Sequence, residues 1–346
     1  MGYVVAMLWT LLAPLAAALS PLLPPVVRDD PAPLFFAWAA AHPPAAHPEP
    51  AYHYAEDVWA DLAPLVAARP GVIRPFIVGR THRDVPIWGF RIGDPAVPEA
   101  RKLLVFANIH ALEWVPTEAA LAFAQALALD PPEGVEVTVI PVLNPDGRAK
   151  VEADLRDGKN VYRRGNWENV DLNRDFAVNR EARAVWKAVI PNRYVTSPAP
   201  LSQPETRALD ALADAERFDA SVSLHAFGGF IYYPWAGRWE RPEDWARFAE
   251  LGKAMQDGMG PHAYRPRQLS RWGFFFRGQG MELDHLYGRY GTLAYLVETT
   301  RSGINVLKGD TKNYFRWYNP RNPEPHVRSV VGMLRAMVVK LGDHLG

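Results

Sequence analysis

Short apolar runs, alternating with longer amphipathic stretches, are what most constrain the fold of this chain. "RKLLVFANI" (101–109) and "VEVTVIPVL" (135–143) read as strands, and "PTEAALAFAQALAL" (116–129) between them has helical spacing with Pro116 in its first turn. Two strands joined across a helix run parallel, and parallel strands are covered on both faces, which explains why these runs are mostly apolar. "YAEDVWADLAPLVAA", "LSQPETRALDALADA", "PEDWARFAELGKAMQDGM" and "EPHVRSVVGMLRAMVVKLGDHL" are further helical patterns. "VIRPFIVG", "VPIWGFRIG", "FDASVSLHAF", "FIYYPW" and "TLAYLVETT" are further strands. The expectation is a single-domain α/β fold, a mixed, mostly parallel, twisted β-sheet with helices on both faces. Ser202 is the expected cap of the helix at "SQPET", and "NPDG" (144–147) reads as a tight turn before a polar loop reaching about residue 176.

The first charged side chain is Arg28. The apolar "MGYVVAMLWTLLAPLAAALS" before it carries a small-x-small pattern at Ala16-Ala17-Ala18, so residues 1–20 read as an export signal. An uncleaved membrane anchor over residues 3–23 is the rival, although Pro14 interrupts it. Residues 21–50, rich in Pro, Ala and His, read as an extended tether, and 51–346 as the working domain. A secreted or periplasmic protein is expected. Formal net charge is zero and no Lys/Arg run stands out, which argues against a nucleic-acid partner. The chain has no cysteine, which excludes disulfides, thiolate metal sites and a cysteine nucleophile.

His110 and Glu113 stand three positions apart where an apolar strand gives way to a helix, and neither is needed for a core there. A histidine bonded to a carbonyl and a glutamate favoured by a helix dipole would account for them. Their position says more, because ligands of open α/β sheets gather beyond the carboxyl ends of strands. Catalytic zinc keeps three protein ligands and one open position. His225, closing the apolar "ASVSLH", is the candidate for the third ligand.

"NIHALEW", "NPDG", "NVDLNRDF", "SQPET", "SLHAFGGFIYYPW" and "TLAYLVETT" occur in the order found in the zinc metallocarboxypeptidases related to pancreatic carboxypeptidase A. The chain resembles that family from about Tyr52 to its last helix. The resemblance implies one zinc ion per chain, held by His110, Glu113 and His225, with Asp171 orienting a zinc histidine. It implies hydrolysis of the C-terminal peptide bond by a water that zinc and Glu298 activate. A structural ion pair with Arg301 is the plainer reading of that glutamate. Arg163 is the implied support for the oxyanion, although the adjacent Arg164 fits if the assignment slips by one. Asn173 and Arg174 match the pair that grips the substrate's terminal carboxylate. Peptide or protein C-termini are then the partners, the membrane is one only if the leader stays attached, and a monomer is expected.

Leu283, fifteen residues before Glu298, falls where the family places the floor of its specificity pocket, implying release of apolar or aromatic residues. Its neighbours Glu282 and Asp284 would change that if the register shifts. Three positions depart from the pancreatic pattern: Leu112 replaces an arginine, Phe227 a tyrosine, and Phe276 the mobile tyrosine that covers the bound carboxylate. Tyr287 or Tyr290 are the candidates to replace the missing hydroxyl. The same residues leave two other readings open. One is a zinc amidohydrolase acting on cell-wall peptides or acylated amino acids. The other is a non-catalytic peptide-binding module, which would need neither intact ligands nor Glu298.

Overall fold

The computed structural model describes residues 31–97, 99–181, 197–273, 277–304 and 306–343. The leader, the start of the tether and Phe276 lie outside the described residues. Eight strands form one sheet: β1 Ile73–Arg80, β2 Pro86–Ile92, β3 Arg101–Ala107, β4 Val135–Ile140, β5 Ala220–His225, β6 Phe230–Tyr233, β7 Pro266–Gln268 and β8 Leu293–Glu298. Their spatial order is β1-β2-β4-β3-β5-β8-β6-β7. β4, β3, β5 and β8 run parallel through the middle, and β2 and β6 flank them antiparallel. The mixed sheet expected from the strand–helix alternation is therefore present.

The helices are α1 Ala32–Ala41, α2 Ala55–Ala68, α3 Val115–Leu129, α4 Pro145–Arg156, α5 Pro204–Glu216, α6 Trp245–Gly258, α7 Glu282–Tyr290, α8 Tyr314–Tyr318 and α9 Glu324–Gly342. α9 packs on α3 and α6, and α3 on α2, while α5 packs on α7 and β1. Sandwiched strands lose all contact with water: every residue of β5 is buried, as is all of β8 except its last residue, Glu298. That exception marks where the sheet opens.

Three local expectations fail for physical reasons. The tether reading of 21–50 misses α1, whose Phe35 is fully buried with its ring centroid 5.2 Å from those of Trp88 and Phe90. Ala is the best helix former, and Pro33 sits in the first turn where proline is tolerated, so an Ala/Pro-rich composition concealed a helix. "NPDG" opens α4: Asn144 is its cap, accepting the Gly147 N–H at 2.9 Å, with Pro145 first in the helix. Ser202 does not cap α5. Asp175 does that work from a distant loop, its carboxylate accepting the Gln203 N–H at 3.0 Å and the hydroxyls of Ser202 at 2.9 Å and Thr206 at 2.5 Å.

Candidate active site

β3, β5 and β8 lie side by side and end at the same edge, with His225 directly opposite Glu298 across β5 and β8. Parallel register alone thus brings a histidine and an acid to one place. The chain leaving β3 must turn sharply to add two more ligands. Asn108 makes the turn: it is fully buried, adopts φ 57°, and its amide donates to the carbonyls of His110 and Glu113, both at 3.0 Å. Asparagine tolerates this left-handed conformation better than most residues, and here its side chain is the scaffold of the loop.

His110, Glu113 and His225 are each 2% exposed, and their ligand atoms all lie within 4.8 Å of one another. Glu113 reaches His110 Nδ1 at 2.8 Å through Oε1 and His225 Nδ1 at 3.2 Å through Oε2. The two Nδ1 atoms are 3.1 Å apart. Tetrahedral zinc with bonds near 2.0–2.1 Å requires donors separated by roughly 3.3 Å, close to these spacings. Two ring nitrogens and a carboxylate turned toward one point make a donor set that suits a metal cation. Four carboxyl groups, Glu113, Asp171, Glu282 and Glu298, lie close to the histidines, with Arg164 and Arg174 beside them.

A cavity of about 550 Å³ opens onto this cluster. Its wall includes His110, Glu113, His225, Glu298, Asn173 and Arg174. One carboxylate oxygen of Glu298, Oε2, is out of reach of water and has no hydrogen-bond partner. Burial, reinforced by the Glu113 charge, pushes the Glu298 carboxyl up to about 8, so it holds a proton more firmly than an ordinary glutamate. No ion pair joins it to Arg301 among the described residues.

A family model described as zinc carboxypeptidase matches residues 59–315, about three quarters of the chain. The chain belongs to the zinc carboxypeptidase family. Carboxypeptidase A2 of Mus musculus is 26% identical over 219 residues, 60% of this chain and 51% of that protein. Carboxypeptidase A6 of Mus musculus is 26% identical over 273 residues, 73% of this chain and 61% of that protein. The chain thus spans about half to three fifths of the length of these relatives. Among solved structures, carboxypeptidase A from Helicoverpa armigera superposes with a TM-score of 0.69 at 19% identity, covering 89% of this chain and 80% of that one. This last likeness concerns the fold.

Within this zinc carboxypeptidase fold, the cations divide differently from the first expectation. Arg163 turns away from the cluster to an ion pair with Asp154 at 2.7 Å, and it is not in the cavity wall. Arg164 faces the cluster instead: Nε donates to Asp171 Oδ2 at 2.8 Å, and Nη1 lies 3.4 Å from Glu113 Oε1. Asp171 bonds both a candidate zinc histidine and the loop that follows it. Its Oδ1 faces His110 Nε2 at 3.1 Å and accepts the Asn173 N–H at 3.0 Å. Burial pushes the Asp171 carboxyl up, but Arg164 and then His110 outweigh it and hold it well below the usual carboxylate range. Arg174 and Asn173 both line the cavity.

The specificity positions also shift. Leu283 is fully buried in the main core and absent from the cavity wall; Met281, two residues earlier, is in it. The reason is rotation. α7 begins at Glu282, and each helical step turns the side chain by about 100°, so Leu283 points into the core. Asp284 accepts N–H groups from Ala236 at 2.7 Å and Gly237 at 2.9 Å, so it faces the fold rather than the cavity. Tyr287 and Tyr290 are bonded to Asp244 and Asp210 and do not reach the site. Phe227 is in the wall, its ring 5.3 Å from that of Tyr318, another wall residue. Asn108, Tyr318 and Met281 were all missed in the sequence, where nothing in their spacing distinguishes them.

Proposed function

We propose that the protein is a zinc-dependent exopeptidase that hydrolyses the last peptide bond of substrates with a free C-terminus and favours apolar or aromatic terminal residues. The observation that carries this reading is that one cavity holds both the metal-ligand cluster and the pair Asn173–Arg174. An arginine beside a hydrolytic centre marks where a carboxylate is to be held, since its planar fork bonds both oxygens at once. The zinc carboxypeptidase family supplies the class of chemistry.

His110, Glu113 and His225 would hold the zinc, one ion per chain. When bound, it supplies a Lewis acid and brings the pKa of a water into the neutral range. Everything else falls to the chain. Glu298, with its unpartnered oxygen, accepts the proton of the attacking water and passes it to the leaving amine. Arg164 stands beside Glu113 and steadies the developing oxyanion. Arg174 and Asn173 fix the terminal carboxylate, which restricts cleavage to the last bond. Met281, Leu269, Leu296 and Tyr232 give the cavity an apolar lining, and neither Glu282 nor Asp284 enters it to select a basic residue. The apolar preference first argued from Leu283 is kept on these different residues.

Residues 1–20 are proposed as an export leader, which the mass of the mature N-terminus tests. Within the described residues no helix is long and apolar enough to cross a membrane. The function itself is tested with peptides that end in Phe, Leu, Lys or Glu, each with a free or an amidated C-terminus. Release of single Phe or Leu from the free forms alone is expected. Cleavage of amidated peptides at comparable rates would remove the carboxylate clamp, and exclusive action on muropeptides or acylated amino acids would favour the amidohydrolase reading.

A further inference from the structure

The two candidate zinc histidines use their rings in the same sense. His110 turns Nδ1 to the metal position and Nε2 to Asp171. His225 turns Nδ1 to the metal position as well, and its Nε2 faces Glu282 Oε1 at 3.2 Å and Ser223 Oγ at 2.8 Å. Asp171 was legible by resemblance; Glu282 was not, and nothing in the hydrolytic reading requires it.

Its setting is unusual for a structural acid. Glu282 is fully buried, and its second oxygen, Oε2, has no partner. No arginine or lysine pairs with it among the described ion pairs; His225 is its charged contact. Placing a carboxylate in such a spot is costly unless it answers a positive charge. Two features fix it there. It is the first residue of α7, where the helix end favours an anion, and its N–H is bonded by Asn173 Oδ1 at 3.0 Å.

We propose that Glu282 is a positioning residue for the metal, holding the His225 proton on Nε2 so that the Nδ1 lone pair is presented to zinc. The ring is then braced like that of His110, and the site has a carboxylate behind each histidine. A carboxylate behind a ligand histidine raises its basicity and fixes its ring, and losing one costs about 10–100-fold in metal affinity. Because Asn173 holds the backbone of Glu282, the carboxylate clamp and the third zinc ligand share one support. This inference rests on the zinc reading above.

The test is the zinc dissociation constant of purified wild type, Glu282→Gln and Ser223→Ala, measured by competition with a chromophoric chelator, together with thermal unfolding of each metal-free form. Glu282→Gln keeps the shape and removes the charge. Its zinc dissociation constant is expected to rise at least tenfold, by more than any change in metal-free stability accounts for, because the Glu282–His225 contact is lost with and without metal. Ser223→Ala should weaken zinc less. Wild-type affinity in Glu282→Gln, or a greater loss in Ser223→Ala, would overturn the assignment, whereas a wild type that binds no zinc would overturn the hydrolytic reading beneath it. Should Glu282→Gln not fold, nitrogen NMR of the zinc-loaded wild type decides: a proton on His225 Nε2 is expected, and one on Nδ1 contradicts the proposal.

Discussion

The two halves of the cavity are built by different means. The metal end is a product of the sheet: His225 and Glu298 are register partners at the ends of adjacent parallel strands, and His110 follows the end of the next strand over. The substrate end is a product of loops and helix starts: Arg164, Asn173, Arg174 and Met281 are placed by side-chain hydrogen bonds and by the start of α7. Backbone pairing fixes position to a fraction of a residue. A loop offers adjacent side chains nearly equal chances. Conserving the chemistry while changing the substrate is therefore easiest at the loop end.

Substitutions at the two ends should differ in kind. Glu298→Gln, at the strand end, should lower kcat about 10³-fold while zinc content stays at one per chain, read by steady-state kinetics beside metal analysis. Unchanged turnover would return Glu298 to a structural role. Arg164→Ala should lower kcat about 10²-fold. Arg163→Ala should stay within about twofold of wild type, because Arg163 meets only Asp154 on α4 in the described ion pairs. The reverse ranking would restore Arg163 as the oxyanion's support. Arg174→Ala should act mainly on KM, lowering kcat/KM about 30-fold, equivalent to about 2 kcal/mol of lost carboxylate binding. It should also narrow the gap between free and amidated substrates. Asn108→Ala removes the turn that carries two ligands; about 2 kcal/mol of stability should be lost, seen as a lower urea midpoint with zinc weakened in parallel.

Legibility in the sequence follows the same division. His110, Glu113 and His225 were legible as a cluster because polar residues at or just beyond the ends of apolar strands add nothing to the core, and Glu298 was singled out by the family resemblance. The mixed sheet was legible for a related reason, since buried parallel strands are apolar on both faces. Arg163 and Arg164 were interchangeable by sequence because what separates them is which aspartate captures which: Asp154 on α4 takes one, and Asp171 takes the other. Leu283 failed because equal spacing ignores the rotation introduced where α7 begins. Phe35 failed because Ala- and Pro-rich composition describes both a tether and a helix whose one large ring finds Trp88 and Phe90. Asn144 hid as a turn because a helix cap and a turn use the same residues. Tyr318 is brought to the cavity by contacts between segments remote in sequence, which no local pattern reports.

The claim beneath all of this is that two imidazole Nδ1 atoms and one carboxylate close on a single ion at the ends of β3 and β5. Anomalous diffraction from crystals of the zinc-loaded protein, recorded on both sides of the zinc absorption edge, tests it most directly. One strong peak about 2.0–2.2 Å from His110 Nδ1, His225 Nδ1 and a Glu113 oxygen, with a free position facing Glu298, is the expected result. A peak elsewhere, or none at that position with zinc in excess, would contradict it.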